Sequence, residues 1–180
     1  MLCRVRAACV LAIAAGIVMA SLGTAHADSD IRALSVSVGY AGFDAAGGAA
    51  HGGVIGLSHD RRLSDKVPLA WRVAITGGVH SADELMFTGT AVVGFSWLLS
   101  DTLKYVPYVL LDAGATVVAG KNIDTDVVPR VEFGLGMDLL KSRTFSYGIQ
   151  VRAELESPFA VSQTGMLIFS GRATWRWGFF

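Results

Sequence analysis

The stretch RVEFGLGMDLLKSRTFSYGIQVRAELE, residues 130–156, decides the fold of this chain. In its first half, large apolar residues occupy the odd positions from Val131 to Leu139, whereas charged residues or glycines occupy the even positions. The second half repeats this order from Phe145 to Leu155, after a short polar break. Strict alternation over about ten residues is typical of a β-strand with one apolar and one polar face. The stretch therefore predicts a hairpin of two long strands.

The same period of two recurs in six further segments. Together with the hairpin they give eight predicted strands, at 31–41, 52–60, 69–76, 87–97, 109–117, 130–139, 145–155 and 167–179. Roughly ten residues is the length that a tilted strand needs to cross a bilayer. We see no linker and no second domain. The sequence therefore predicts an all-β fold, an eight-stranded antiparallel up-and-down transmembrane β-barrel, over residues 28–180.

The predicted connections form two alternating sets. Three are compact and polar, at 61–68, 100–104 and 141–144, and four others lie at 43–51, 80–84, 120–126 and 156–164. Alternate connections of an up-and-down barrel lie at opposite ends. A secretory signal peptide at residues 1–27 would deliver the chain to the periplasm, so both termini of the mature chain should lie there. We therefore expect three periplasmic turns and four short extracellular loops.

Residues 1–27 have the pattern of a cleaved secretory signal peptide. Arg4 and Arg6 precede a short apolar core, and Ala25-His26-Ala27 fits a small-x-small cleavage site. Both cysteines of the chain lie in this segment, so the mature protein would have no disulfide. A small exported domain often relies on disulfides. A bilayer that forces every backbone group into a ladder is another source of stability.

The composition is apolar, yet the mature chain has no predicted membrane helix. Charged residues make up 17% of the sequence, and the mean hydropathy is +0.49. The longest uncharged mature stretch, 85–100, is shorter than the roughly 20 residues that a spanning helix needs. Without the two signal-peptide arginines, 13 basic residues face 15 acidic ones, a net charge of −2. This balance gives no indication of a nucleic-acid partner.

Alternation alone does not distinguish a membrane barrel from a soluble lipid-binding barrel of the periplasm, which is its inside-out counterpart. A soluble barrel would carry lysine on its strands, but all four lysines lie in predicted connections: Lys66, Lys104, Lys121 and Lys141. The polar face is rich in Gly, Ser and Thr, which suits the narrow interior of eight strands. Both features favour the membrane barrel. The soluble carrier stays open as an alternative.

Aromatic residues are sorted along the predicted strands. All four tryptophans lie near the predicted turns, as expected for side chains at a membrane interface. Aromatics that simply pack a core would not sort to one end. The predicted girdle consists of Trp71, Trp97, Tyr147, Trp175, Trp177 and Phe179.

With these features the chain resembles the small eight-stranded outer-membrane barrels, such as the OmpA transmembrane domain and OmpX. The resemblance covers the mature chain and is architectural. The closing residues Trp175, Trp177, Phe179 and Phe180 look like the assembly signal of that family, although Phe180 is one residue beyond the lipid-facing parity. The resemblance implies a bacterial outer-membrane location and insertion by the barrel-assembly machinery. Lipids and lipopolysaccharide would be its partners, and the chain is expected to be a monomer.

The polar face carries a nearly balanced set of charges. If this face lines the lumen, the charges must pair, because a buried unpaired charge costs several kcal/mol. We predict a luminal ion network that plugs the barrel, and a gated ion pathway is the alternative. Its members would be Arg72, Asp112, Arg130, Glu132, Asp138, Arg152, Glu154, Arg172 and Arg176.

Catalytic and metal-binding patterns are weak. Some eight-stranded outer-membrane barrels are lipid A-modifying enzymes, and the deacylase type carries a His-x-Ser-Asn motif. Here His80 and Ser81 are adjacent, so an extended strand would point them to opposite faces. Asp83 and Glu84 follow in the same loop but do not complete a ligand set. We therefore expect neither an enzyme, nor a cofactor, nor a metal site, and the lipid A-modifying enzyme remains an alternative.

Overall fold

The computed structural model describes residues 31–45, 48–64, 67–81, 85–100, 104–120, 125–156 and 165–178. The predicted signal peptide, Phe179 and Phe180 lie outside these residues. Eight strands make up the described chain: β1 (Arg32–Ala45), β2 (Gly48–Arg62), β3 (Leu69–Ser81), β4 (Leu85–Leu98), β5 (Tyr105–Gly120), β6 (Asp126–Leu140), β7 (Phe145–Glu156) and β8 (Gly165–Trp177). Among the described residues, no helix is long and apolar enough to cross a membrane.

The strands form one closed antiparallel barrel in sequence order. Each strand pairs with the next along the chain, and β8 returns to pair with β1, where Val36 lies opposite Ala173. In the described part of the chain, every strand is therefore paired on both sides, which removes the exposed edges of an open sheet. The predicted fold class, an eight-stranded antiparallel up-and-down barrel, is confirmed.

The connections divide the barrel into two ends. The turn end carries 63–68, 99–104 and 141–144 together with both described chain ends, and the loop end carries 46–47, 82–84, 121–125 and 157–164. The alternation that we predicted for the connections is the one that the fold has.

Several predicted boundaries were wrong. The segment 43–51 was predicted as a loop because it is rich in Gly and Ala, but β1 and β2 continue through it until Ala45 lies opposite Gly48. Weak β-formers extend the ladder here because the hairpin partner already lies alongside them. At the other extreme, β8 ends at Trp177 rather than at 179. Gly178 follows with φ 121°, a backbone conformation that favours glycine and ends the extended run.

The two faces of the strands differ in the way that the alternation predicts. Val131 and Leu135 are 39% and 52% exposed on the outer wall, whereas Glu132 between them is 1% exposed and lies inside. Small inward residues allow the strands to approach: a Cβ atom at Gly94 would collide with the carbonyl oxygen of Leu111. The polar face therefore lines the lumen, and the apolar face forms the outer wall.

Candidate functional site in the barrel lumen

The centre of the lumen holds two arginines, each of which forms an ion pair with a carboxylate. Arg152 of β7 donates from Nη1 to Oε1 and Oε2 of Glu132, at 3.2 and 3.3 Å. The same nitrogen is 3.4 Å from the hydroxyl oxygen of Thr76 on β3, across the barrel. Charged groups this deeply buried are stable only when they are paired. Arg152 thereby ties β7 to β6 and to the opposite wall.

Arg72 of β3 forms the second central pair. Its Nε atom is 3.1 Å from Oδ2 of Asp112, and its Nη1 atom is 3.6 Å from Oδ1 of Asp60. Ser96 also donates to Asp60 Oδ1, at 3.1 Å. The Arg72 guanidinium on β3 therefore connects a carboxylate of β2 with a carboxylate of β5. Ser96, which contacts Asp60, is on β4, between β3 and β5.

Three acidic residues lie side by side on β5, β6 and β7. Asp112 is the register partner of Glu132, and Glu132 is the partner of Glu154. Like charges that lie directly opposite each other on a sheet destabilise it. The arginines compensate: Arg130 Nη1 is 4.0 Å from Oε2 of Glu154, beside the two central pairs.

A second cluster lies nearer the turn end, around Asp138. Arg172 Nε is 3.3 Å from Asp138 Oδ1, and Arg176 Nη2 is 3.0 Å from Oδ2. The Arg172 guanidinium also lies over the ring of Tyr108, 4.6 Å from its centroid, in a cation–π contact. The Tyr108 hydroxyl donates to Gln150 at 3.2 Å. The cluster crosses the lumen on the turn-end side of the two central pairs.

The structure places all nine sequence-predicted charges inside the barrel and adds two residues that the sequence analysis missed. Asp60 was taken as the end of a weak strand, although it continues the inward parity of Gly56 and Ser58. Tyr108 preceded the predicted start of strand five, although it shares the parity of Asp112. With Asp60, the five predicted arginines are matched by five acids, and Arg62 shares their inward parity nearer the turn end.

The space left in the lumen is uneven. Among the charges at mid-barrel the void is about 10 Å³, room for about one water molecule. Towards the loop end, the lumen is filled by a buried apolar cluster of Ala41, Val54, Met166 and Ile168. Towards the turn end, it widens into a cavity of about 440 Å³ that extends from Tyr108 to Leu98 and Leu140. Among the described residues, the lumen is therefore narrow among the mid-barrel charges and wide towards the turn end.

Comparisons with known proteins match this architecture. No family model matches the sequence, and no curated protein matches it. The solved structures include Neisserial surface protein A (NspA), with a TM-score of 0.71 and 9% identity over 81% of this chain and 97% of that one. Ail, the attachment invasion locus protein of Yersinia pestis, has a TM-score of 0.56 and 9% identity over 83% and 100%. The outer membrane enzyme PagL has a TM-score of 0.55 and 12% identity over 79% and 97%.

The chain shares the fold of small eight-stranded outer-membrane barrels. At these identities the likeness concerns the fold alone.

Five residues of the predicted aromatic girdle are described, and they lie on the outer wall near the turn end. Trp97, Tyr147, Trp175 and Trp177 are exposed, whereas Trp71 is half-buried. Trp71 and Trp177 cover His59, with ring centroids 5.9 and 6.2 Å away. Phe179 lies outside the described residues, as does Phe180 of the predicted assembly signal.

The two residues that gave the weak catalytic pattern are neighbours on β3, and their side chains point to opposite faces. His80 was predicted in a loop, but it lies within β3, points into the lumen and is fully buried. Its Nε2 atom is 2.8 Å from the Thr88 hydroxyl oxygen. Ser81 is exposed on the outer face, so the two side chains lie on opposite sides of the wall. Asp83 and Glu84 lie outside the described residues, and the residues that are described contain no cluster suited to a metal ion.

Proposed function

We propose that this chain is a structural or interaction protein of the bacterial outer membrane, with a lumen closed by paired charges. The observation that carries the proposal is the combination of an apolar outer wall with a mid-barrel void of about 10 Å³. Nutrients of the size of a sugar do not fit through such a void. The protein would therefore act through its surface rather than by transport.

The outer wall supports the membrane location. Every strand exposes at least one large apolar side chain at its middle, and such a continuous belt is unfavourable in water. Examples, one per strand, are Val38, Ile55, Ile75, Val93, Leu111, Leu135, Ile149 and Phe169. Lys104 and Lys141 are exposed in turns, where they would lie at the membrane surface. Lipids and lipopolysaccharide would be the partners of this wall, and the barrel-assembly machinery would insert it.

The loop end is the surface for interaction with partners outside the cell. Under the proposed orientation the turns face the periplasm and the four loop-end connections face outward. Adhesion, complement evasion and lipopolysaccharide contact are the roles compatible with a small barrel of this kind. The proposal assigns the surface and leaves the partner open. The monomer and the absence of catalysis belong to the same proposal.

Liposome swelling tests the closed lumen. Liposomes containing the refolded barrel should not swell in glucose, because the charges fill the lumen, whereas liposomes with a general porin should swell. The variant Arg152→Ala, Arg72→Ala removes the two central guanidiniums and should raise ion conductance in planar bilayers above the background. Glucose entry through the unmodified protein at a porin-like rate would refute the proposal.

Gel mobility tests the membrane barrel against the soluble carrier. A membrane barrel keeps its closed fold in detergent without boiling and migrates differently after boiling. A soluble carrier would fractionate with periplasmic proteins without detergent. Recovery of the native protein from the periplasmic fraction, with no heat-dependent change in mobility, would favour the carrier and contradict the proposal.

A further inference from the structure

The turn-end cavity has the features of a binding site. Ligand binding there would be a function in addition to the surface interactions of the barrel. We propose that the cavity binds a small zwitterion with an apolar tail: a molecule with one anionic group, one ammonium group and a hydrocarbon part. The cavity measures about 440 Å³, within the range of roughly 300–1,000 Å³ typical of ligand pockets. Its opening faces the periplasm if the proposed orientation holds, but binding itself does not depend on that orientation.

Much of the cavity wall is apolar, although it lies beside charged groups. This part of the wall is formed by Ile31, Ala33, Ala70, Leu98, Val106 and Leu140. These residues have the inward parity, so lipid contact does not explain them. An ion network does not need them either, because their side chains carry no polar group. An apolar wall beside charged groups suits a ligand that has a hydrocarbon part in addition to its charges.

On the charged wall of the cavity, two guanidiniums meet one carboxylate. Arg172 and Arg176 line this wall together with Asp138, whereas Asp60 faces Arg72. Asp138 is shared between Arg172 and Arg176, at 3.3 and 3.0 Å. One carboxylate cannot neutralise two guanidiniums, so the wall of this cluster is complementary to one further anion. Guanidinium groups bind carboxylates and phosphates through short charge-assisted hydrogen bonds.

Asp60 supplies the complementary half of the site. It is 8% exposed, and its Oδ1 atom faces Ser96 and Arg72. Its Oδ2 atom is buried and accepts no hydrogen bond from the described residues. A buried carboxylate oxygen without a donor costs free energy, and an ammonium group in the cavity would supply the donor. A purely anionic ligand would instead be repelled by it.

The inner end of the cavity is closed, so a bound ligand would stay there rather than pass through the barrel. Arg172 stacks on Tyr108 at 4.6 Å, and the void above them is about 10 Å³. The cavity is therefore a dead end, closed at its inner end by Arg172 and Tyr108.

Binding is tested with three small probes that share one branched tail, on the full mature chain in zwitterionic nanodiscs. L-leucine carries both charges, 4-methylpentanoate only the anion and 3-methylbutylamine only the cation. Amide shifts of Ser96, Leu98 and Leu140 should saturate with leucine, and each single-charge probe should bind about tenfold more weakly, since one charged hydrogen bond contributes about 1.4 kcal/mol or more. Equal binding of leucine and 4-methylpentanoate would overturn the proposal.

A second arm distinguishes a free amino acid from a lipid headgroup. Lauroyl-lysophosphatidylethanolamine carries the same two charges, and native mass spectrometry would count the molecules retained per barrel. Saturation by leucine assigns the free zwitterion, and a single retained lysolipid without leucine binding assigns the lipid. If neither probe binds, the proposal is wrong.

Matched variants locate the site. Asp60→Asn and Arg176→Gln should each weaken binding of the zwitterion about tenfold, whereas Arg61→Gln, next to Asp60 but on the outer face, should leave it unchanged. Heat-dependent gel mobility verifies that each variant is folded, and the probe series on the unmodified protein needs no variant. Loss of binding in Arg61→Gln alone would contradict the assignment.

Discussion

At the scale of single residues, the lumen depends on carboxylates that are buried together with their arginines. Glu132 illustrates this, because both of its oxygens accept from one nitrogen of Arg152. Its strand neighbours on either side, Asp112 and Glu154, are also acids. Removal of one member therefore changes the balance of the whole row rather than a single bond.

Glu132→Ala should destabilise the barrel by roughly 3–5 kcal/mol, because it leaves the Arg152 guanidinium buried without its carboxylate. Urea unfolding in detergent micelles, followed by tryptophan fluorescence, measures the loss. Asp126→Ala, at an exposed acid of the same strand, is the matched control and should change the free energy of unfolding by about 0.5 kcal/mol or less.

The double variant Glu132→Leu, Arg152→Leu tests the physical reason. Replacing both partners of a buried ion pair by apolar residues is often neutral or stabilising, so the double variant should be more stable than Glu132→Ala. An unfolding curve of Glu132→Ala that coincides with that of the unmodified protein would exclude Glu132 from the network.

At the scale of the strands, the sequence predicts the features that the alternation of apolar and polar residues determines. The eight strands and the lumen side of all nine predicted charges follow from a period of two, since successive side chains point to opposite faces. The prediction fails where the pattern fades at strand ends. Asp60 and Tyr108 lie there, and so does the Gly-rich segment that was predicted as a loop.

Other features of the lumen lie beyond any sequence pattern. The bridge from Arg72 to both Asp60 and Asp112 joins β2, β3 and β5, so it depends on the register between strands and on side-chain conformation. The turn-end cavity likewise depends on which inward residues are too short to meet across the barrel. Neither property is encoded in the alternation of one strand.

Glycines on β4 give a test of the two faces. A Cβ atom at Gly94 would collide with the Leu111 carbonyl oxygen and with Asp112, whereas one at Gly89 would meet no atom within 4 Å. Gly94→Ala should therefore destabilise the barrel by roughly 1–3 kcal/mol. Gly89→Ala should be neutral or stabilise it by about 0.5 kcal/mol, since alanine restricts the unfolded chain.

Refolding yields on unboiled gels and urea midpoints compare the two alanine variants directly. If Gly94→Ala refolds as well as Gly89→Ala, β4 does not present Gly94 to the packed interior, and the face assignment of that strand is wrong.

At the scale of the whole molecule, closure depends on the pairing of the first strand with the last. The register of β1 with β8 runs from Arg32 opposite Trp177 to Phe43 opposite Met166. These partners are more than a hundred residues apart in the chain, so no local pattern determines their alignment. The order in which the lumen residues stack depends on this one register, because a shift by two residues would move Arg172 and Arg176 relative to the acids of the other strands.

A disulfide across this seam tests the register. Val36 and Ala173 are Cα partners, and directly opposed residues of antiparallel strands lie about 4.5–5.5 Å apart, within the range that a disulfide spans. Because the only cysteines of the chain, Cys3 and Cys9, lie in the predicted signal peptide, the variant Val36→Cys, Ala173→Cys carries just the designed pair in the mature protein. It should oxidise in the folded barrel and give one cross-linked peptide after proteolysis.

The control Val36→Cys, Phe169→Cys is offset by four residues, or about 13 Å along the strand, and should remain reduced. Efficient oxidation of the control together with a reduced Val36–Ala173 pair would mean that β1 and β8 meet in another register, and that the stacking of the luminal arginines must be revised.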